Sequence, residues 1–297
     1  MTKLLQQNPH WEATSLCRLF GVPRSSFYYK PVQSEEAVLK ETALRGSIEA
    51  VAGQWPRYGV RRVTHQLRRA DGVQPAASVE LRPAAPVGHR RVHRLMRQMG
   101  LCAKAHKPRK KRTTNSEHPF ARHPNRVKDL SVLCPDQVWV SDLTYVVLGS
   151  GFVYRAVIMD VFTRSIRGWS LSRFLDGDLC LVALGRALAV GTPGIHHSDQ
   201  GVQYAAAGYV SRLRSVNALI LMAAVGCPEE NGYAERLMRT IKEEHVSLTE
   251  YTDFEDARDQ IGRFLEDVYQ HKRIHSALAY LTPAEFEVQA RQAVNKL

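Results

Sequence analysis

Residues 137–172 contain three consecutive runs that are rich in β-branched and aromatic residues, and short turns separate them. The runs are QVWVSDLTYVVL, FVYRAVIMDVF and SIRGWSLS, with Gly149, Ser150 and Gly151 between the first two. Such residues favour extended strands, and a tight turn that contains glycine favours a hairpin. The pattern predicts an antiparallel meander of three strands, which commits the middle of the chain to a β-sheet.

Helical and extended patterns alternate after this meander. We expect an apolar helix at Asp178–Val190, a strand in GIHHSD, a helix at Tyr204–Val216, a strand at Ala218–Val225 and a helix at Asp253–His271. At 297 residues the chain is long enough for two or three domains. Five predicted strands interspersed with helices indicate an α/β fold for the part that begins near residue 131.

Three carboxylates stand out against this pattern. Asp142 lies inside the first predicted strand, Asp199 ends the fourth, and Glu235 follows Asp199 after an interval of 35 residues. Glu235 is predicted on the polar face of a helix, because the apolar residues fall together on another face, namely Ala234, Leu237, Met238 and Ile241. Carboxylates from separate elements can converge on magnesium or manganese, which catalyse phosphoryl transfer. Taken singly, each of the three is better explained as a surface acid.

The net charge of +12 is unevenly distributed along the chain. Residues 1–130 contain 25 Lys and Arg against 9 Asp and Glu, a net charge of +16. Residues 131–297 contain 16 Lys and Arg against 20 Asp and Glu, a net charge of −4. A basic half is compatible with a solvated surface, but charge segregated to this degree favours a polyanionic partner such as nucleic acid, whose neutralised phosphates release counterions.

The basic half contains two segments with the pattern of helical DNA-binding units. Residues 12–30 predict two short helices separated by Gly21, which is the spacing of a helix-turn-helix. Residues 46–101 predict two amphipathic basic helices joined by a loop rich in Pro, Ala and Gly, and a basic linker follows at 102–130. The cations expected to contact DNA are Arg61, Arg62, Arg90, Arg91, Arg94, Lys110, Lys111 and Arg112. Ordinary surface helices and a solvated linker are the alternatives.

Composition and cysteine spacing exclude several other classes of protein. No run of 18 apolar residues is present, so we expect no membrane span, and the N-terminus lacks the apolar core of a signal peptide. The five cysteines are scattered and form no CxxC pair, so we expect neither a disulfide framework nor a zinc ribbon. These features favour a reduced, cytoplasmic protein.

Three motifs carry a resemblance to a known family. WVSDLTYV, HSDQGVQY and ENGYAERLMRTIKEE, in this order and with the interval of 35 residues, resemble the D, D-35-E signature of the retroviral-integrase superfamily. Within it the chain resembles the insertion-sequence transposases that are encoded in two overlapping frames, specifically the second-frame product. Residues 54–101 resemble the helix-turn-helix segment of that group, and YQHKRIHSALAYLTPAEF resembles its C-terminal signature.

The resemblance implies a ribonuclease-H-like catalytic core, with a five-stranded mixed sheet flanked by helices, preceded by all-α helix-turn-helix segments. Asp142, Asp199 and Glu235 would be the catalytic residues and the ligands of magnesium or manganese, in two sites, and no zinc is implied. Lys242 would contact DNA, and we extend this expectation to its neighbours Arg239 and Asn231. Members often carry Asp-Asn before the glutamate, whereas this chain has Glu230 and Asn231.

The implied activity is metal-dependent cleavage at the ends of a mobile element and joining of the freed 3′ hydroxyl to another phosphodiester. The implied partners are double-stranded DNA, further copies of the chain in a homo-oligomer, and a first-frame protein or a fusion with it, in the cytoplasm of a bacterium. Two alternatives stay open: a non-catalytic DNA-binding regulator, and a nuclease of the same fold that cuts without joining.

The sequence also predicts domain boundaries and the roles of several neighbours of the carboxylates. The divisions are 1–45, a helix-turn-helix with linker; 46–101, a second DNA-binding domain; 102–130, a basic linker; 131–245, the catalytic core; and 246–297, a helical region. Tyr145, Gln200 and Gln203 either position DNA or pack beside the carboxylates. His196 and His197 are better explained by a structural role at a strand end. For Arg273 and His275, packing and DNA contact are equally good explanations.

Overall fold

The structure is a computed structural model, and it describes residues 11–28, 34–70, 87–101, 130–149, 151–223 and 231–294. The chain divides into two compact units. One comprises Met1–Ser47 and Ser78–Ala85, and the other comprises Ile48–Ala77 and Pro86–Leu297. Residues 48–70 and 87–101 therefore belong to the same unit as the predicted core. Lys110, Lys111 and Arg112 lie outside the described residues.

The first unit contains the short helices that the sequence predicts around Gly21. These are α1 (Ala13–Leu19) and α2 (Arg24–Tyr28), and α3 (Glu35–Gln54) follows and contains the boundary between the units. Gly21 has a φ of 61°, a left-handed conformation that glycine adopts without a Cβ clash. The glycine therefore permits the sharp turn between α1 and α2.

The second unit begins with the two basic helices. They are α4 (Val60–Ala70) and α5 (His89–Gln98), and each buries the apolar stripe that its spacing predicts. The fully buried members are Val63, Leu67, Val92, Leu95 and Met96. Most of their arginines are exposed, because burying both stripes turns other positions outward, whereas Arg62 and Arg69 are only partly exposed.

A mixed sheet of five strands forms the centre of the second unit, and the predicted meander is its first part. The strands are β1 (Val138–Leu148), β2 (Gly151–Asp160), β3 (Ile166–Ser172), β4 (Ile195–Ser198) and β5 (Leu219–Met222). Their order is β3-β2-β1-β4-β5. The pairs β1–β2 and β2–β3 are antiparallel, whereas β1–β4 and β4–β5 are parallel.

Helices cover both faces of this sheet. One face is covered by α6 (Gly177–Val190), α7 (Val202–Ala205) and α8 (Ala207–Arg214), and the other by α9 (Gly232–Glu244) and α10 (Phe254–Arg263). A Cβ built on Gly168 of β3 would lie 2.2 Å from the carbonyl oxygen of Ala183 in α6. Only glycine allows this close approach of the helix to the sheet.

Two of the predicted helices differ in detail from the structure. The predicted helix at Tyr204–Val216 is interrupted at Ala206, which has φ −60° and ψ 139°, an extended conformation, and so separates α7 from α8. The predicted helix at Asp253–His271 continues after Arg263 as a π-helix, Phe264–Lys272. The chain ends with α11 (Pro283–Val294), and the short 3₁₀ turns are Val246–Leu248 and Ser276–Leu278. None of the helices described here combines the length and apolarity of a membrane span.

Candidate active site

The sheet register places Asp142 and Asp199 side by side. In the parallel pair β1–β4, Val140 is the partner of His197. Asp142 lies two residues beyond Val140, and Asp199 lies two residues beyond His197. Side chains two positions apart share a face, and neighbouring strands are about 4.8 Å apart. Continued for two residues past the last paired positions, this register brings both carboxylates to the same level beside the end of β4, where their charges interact.

Backbone amides orient the two carboxylates. Asp142 Oδ1 accepts a hydrogen bond from the N–H of Leu143 at 2.8 Å, and Asp199 Oδ1 accepts one from the N–H of Gly201 at 3.0 Å. Both aspartates are partly exposed. A Cβ built on Gly201 would lie 3.0 Å from Asp199 Oδ1, so a larger residue there would crowd the carboxylate.

The electrostatics of Asp142 show that the acids lie close enough to repel. Burial and the negative charge of Asp199 raise the pKa of Asp142 to about 7, and the charge of Glu235 adds to this. The N–H of Leu143 and the cation of Lys242 act in the opposite direction. A cation bound between the carboxylates would relieve this repulsion, because a nearby positive charge favours the ionised form of an acid.

Glu235 lies on α9, whose packing follows the predicted helical spacing. Ala234, Leu237 and Met238 are buried, and Glu235 is exposed on the other face. Among the described residues, no three His, Cys, Asp or Glu side chains are grouped closely enough to hold a metal ion. Glu235 therefore does not join the two aspartates in a three-carboxylate ligand set, although its charge acts on Asp142.

Asn231, which we expected to contact DNA, is buried between the start of α9 and β1. Asn231 is only 5% exposed, and its Nδ2 donates a hydrogen bond to the carbonyl oxygen of Ser141 at 3.1 Å. This bond joins the residue before α9 to the residue before Asp142. Asn231 thus fixes the start of α9 against β1, a contact between distant parts of the chain that helical periodicity alone does not specify.

Lys242 is half-buried, and its charge interacts with that of Asp142. Its Nζ is 5.4 Å from the ring centroid of Tyr145, a distance within the range of a cation–π contact. Burial and the charge of Arg155 lower the pKa of Lys242, and the charge of Asp142 opposes them. Arg239 is exposed on the same helix.

Arg155 is a buried cation on this face that sequence analysis did not single out. It is 0% exposed, lies opposite Thr144 in the β1–β2 pair, and donates from Nη2 to Met238 Sδ at 3.3 Å. Burial lowers its pKa to about 10. The alternation of side chains along β2 could have indicated that Arg155 is buried, because it places Arg155 on the same face as the core residues Val153 and Val157.

The C-terminal end of α9 is held by a buried ion pair. Arg273 donates from Nε and Nη2 to the two oxygens of Glu244, at 2.6 Å each, and from Nη1 to His275 Nε2 at 2.9 Å. Arg62 Nη1 also donates to Glu244, at 3.3 Å. These contacts give Arg273 and His275 a packing role. Arg62, one of the cations expected to contact DNA, is partly buried and pairs with Glu244.

The remaining candidates separate into buried and exposed groups. His196 is buried, contacts the hydroxyl of Tyr209 through Nε2 at 2.9 Å, and has a pKa lowered to about 3 by burial. His197 and Gln200 are also buried, and Gln203 is partly exposed. The candidate arginines that are exposed on the basic helices are Arg61, Arg90, Arg91 and Arg94. Arg61 also lines a cleft of about 460 Å³, together with His89 and His93.

Comparison with known proteins agrees with the fold and with the order of these elements. Residues 133–228 match one family described as "Integrase core domain", and residues 218–283 match a second family with the same description. Residues 39–109 match a family described as "HTH-like domain". The matched regions contain the sheet with both aspartates, the helix with Glu235, and the basic helices. The second unit is therefore built around a ribonuclease-H-like integrase core, the class of polynucleotidyl transferases.

Individual relatives identify the family. The transposase for insertion sequence element IS904 of Lactococcus lactis is 35% identical over 204 residues, which are 67% of this chain and 79% of the relative. The IS600 uncharacterized 31 kDa protein of Shigella sonnei is 32% identical over 93% of this chain and 99% of its own length. The transposase for IS629, also from Shigella sonnei, is 30% identical over 92% of this chain and 90% of its own length. The chain belongs to the insertion-sequence transposases.

Proposed function

We propose that Asp142, Asp199 and Glu235 carry out DNA cleavage and strand transfer at the ends of a mobile element, with bound divalent metal. The observation that carries this proposal is the β1–β4 register, which brings Asp142 and Asp199 to one level beside the end of β4. Glu235 belongs to the helix that packs on one face of the sheet, and its charge acts on Asp142. Two neighbouring acids, with the charge of a third acting on one of them, are difficult to explain by stability, because like charges repel.

The donor set fits magnesium or manganese. Carboxylate oxygens suit these hard cations, and magnesium is commonly held by one or two carboxylates together with substrate phosphates and water. Asp142 and Asp199 supply the two protein carboxylates, and we propose that Glu235 completes the set when DNA is bound. Two ions would be held in this way. When bound, the metal supplies Lewis-acid stabilisation of the attacking and leaving oxygens.

The chain's own residues hold and orient the DNA around this centre. Asp142 and Asp199, oriented by the amides of Leu143 and Gly201, would hold the metal at the scissile phosphate, because the anionic carboxylates cannot bind the anionic phosphate directly. Lys242 presents its ammonium beside Asp142, where it binds a neighbouring phosphate of the same strand. No covalent bond between protein and DNA is required, because a water molecule and then the freed 3′ hydroxyl act as the nucleophiles.

We assign DNA duplex binding to the basic helices of the second unit. The exposed cations on α4 and α5 are spaced to neutralise phosphates, whereas Arg62 is engaged by Glu244. Joining two element ends requires two active sites, so we propose a homo-oligomer on DNA. We also propose that a first-frame protein, or a fusion with it, contributes further DNA binding. The substrate places the protein with bacterial nucleoid DNA in the cytoplasm.

A joining assay separates this function from its two alternatives. A duplex that carries a candidate element end, labelled on the transferred strand, is incubated with the full chain, magnesium and a circular plasmid. We expect labelled strand covalently joined to plasmid. Cleaved product without joined product would indicate a nuclease, and a mobility shift without either product would indicate a regulator. Addition of the first-frame protein tests whether that partner is needed.

A further inference from the structure

Three aromatic rings lie at the end of the β1–β2 hairpin nearest to Lys242. Tyr145 of β1 lies directly opposite Tyr154 of β2, and Phe152 precedes Tyr154 by two residues, so all three side chains share one face. The ring centroids of Tyr145 and Phe152 are 6.2 Å apart, and those of Phe152 and Tyr154 are 5.6 Å apart. We call these three residues the aromatic platform.

The aromatic platform is at least partly open to solvent, whereas the two tryptophans of the sheet, Trp139 and Trp169, are buried. Phe152 is 56% exposed and its cross-strand partner Val147 is 64% exposed, whereas Tyr145 and Tyr154 are partly exposed. Phe174, which follows β3 two residues after the partner of Tyr154, is 71% exposed. An exposed apolar surface of this kind commonly marks a binding site.

Lys242 connects the aromatic platform to the carboxylates. Its ammonium lies 5.4 Å from the ring centroid of Tyr145 and also interacts with the charge of Asp142. A cation followed by exposed aromatic rings is the combination by which proteins bind single-stranded nucleic acid, the cation holding phosphate and the rings stacking on bases. The positive charge beside the rings favours a nucleic-acid strand over an apolar protein surface.

We propose that the aromatic platform stacks the unpaired nucleotides that adjoin the phosphodiester held at Asp142 and Asp199. This inference rests on the proposed function and specifies its substrate as a DNA end with an unpaired segment. Tyr145 lies three residues from Asp142, and the partner of Phe152 lies five residues from it. Both intervals are odd, so the rings project from the face of the sheet opposite Asp142, and Lys242, whose ammonium contacts Tyr145 and interacts with the charge of Asp142, relates the two. Along β1 the intervals are about 10 and 17 Å at about 3.4 Å per residue, the length of about three and five stacked nucleotides.

The test measures the binding of tailed DNA under conditions in which neither cleavage nor joining occurs. The full chain is titrated, in the absence of divalent metal, into a fluorescent blunt duplex and into the same duplex with a tail of unpaired thymidines on either strand. We expect a tail of about five nucleotides to tighten binding about tenfold, and a tail of one nucleotide to have no effect. A 2-aminopurine near the end of the long tail should lose fluorescence on binding.

Substitutions at Phe152 distinguish stacking from general hydrophobic contact. Phe152→Ala and Phe152→Leu should both abolish the preference for the long tail, and Phe152→Tyr should retain it. Phe152 is exposed, so these changes leave the core intact. Leu219→Ala is the matched control, because Leu219 is 51% exposed at the opposite end of the sheet from the carboxylates, and it should bind tails like the parent.

Two results would overturn the proposal. One is a tail preference that persists in Phe152→Ala or in Phe152→Leu. The other is a change of sedimentation coefficient in Phe152→Ala with unchanged tail preference, which would assign the aromatic platform to a second copy of the chain. Because no metal is present, the tail preference is measured independently of joining. A chain that prefers tails but joins no DNA would therefore contradict the proposed function alone.

Discussion

The ion pair between Glu244 and Arg273 permits a quantitative test of how α9 is anchored. Both carboxylate oxygens of Glu244 accept hydrogen bonds of 2.6 Å from Arg273, and the two side chains are 10% and 2% exposed. Glu244→Gln preserves the shape of the side chain but removes its charge, so that a buried guanidinium loses its counterion. Loss of one partner from a buried pair costs about 3–5 kcal/mol of unfolding free energy.

Urea unfolding of the full chain, followed by circular dichroism, measures this cost. The midpoint of Glu244→Gln should fall by about 1–2 M relative to the parent. The matched control is Glu255→Gln, which breaks the exposed pair between Glu255 and Arg258, 3.4 Å apart. Exposed pairs contribute about 1 kcal/mol or less, so the control midpoint should change little.

A double variant completes the cycle. Arg273→Met combined with Glu244→Gln removes the uncompensated charge, so it should recover much of the stability lost in Glu244→Gln. A loss in Glu244→Gln no larger than that in Glu255→Gln would refute the view that this buried pair holds the C-terminal end of α9.

Three further predictions concern charge and pH. Lys242→Ala should lose joining activity while keeping its fold, and Lys242→Arg should retain part of that activity, because either cation binds phosphate. Joining by Lys242→Ala at the parental rate would show that Lys242 does not contribute to the active site. Arg90→Gln with Arg91→Gln should reduce the slope of log affinity against log salt by about 2, whereas Arg258→Gln should not change it. Burial lowers the pKa values of His245 and His275 to about 4 and 2, so the unfolded chain binds their protons first as pH falls below 6.5. Asp142, with its pKa raised to about 7, acts in the opposite direction over the same range, so the measurement is made on Asp142→Asn. In that variant the unfolding free energy should rise as the pH increases from 4.5 to 6.5, and a flat profile in urea titrations would contradict these buried neutral histidines.

The periodic features of the chain could be predicted because they depend on local sequence. The alternation of QVWVSDLTYVVL gave the meander, and the spacing of Ala234, Leu237 and Ile241 placed Glu235 on the outer face of its helix. The pairing register of β1 follows from which of its side chains are buried, because a shift of one residue would turn Asp142 toward the other face of the sheet.

The features that were missed depend on contacts between distant segments. Arg62 and Asn231 had the pattern of surface residues, but Glu244 and the Ser141 carbonyl, far away along the chain, determine where their side chains lie. Arg155 was overlooked because residue type alone does not distinguish a buried arginine from an exposed one. The π-helix after Arg263 keeps helical apolar spacing, so no local signal distinguishes it from a continued α-helix.

We expect the three candidate metal ligands to act as one catalytic unit. Residues that act as one unit lose nearly all activity on any single change, and combined changes cost little more. Asp142→Asn, Asp199→Asn and Glu235→Gln should therefore each abolish magnesium-dependent joining, as should the triple variant, while DNA binding is retained. Asp253→Asn, which changes an exposed helix-capping aspartate, is the matched control and should join DNA normally.

The most direct test of this account is the joining rate of these variants, measured on preparations that bind DNA with parental affinity in a mobility-shift assay. The account predicts that each single variant falls to the level of the triple variant, whereas Asp253→Asn stays at the parental rate. Substantial joining by any one of Asp142→Asn, Asp199→Asn or Glu235→Gln would contradict the assignment of that residue to the metal site.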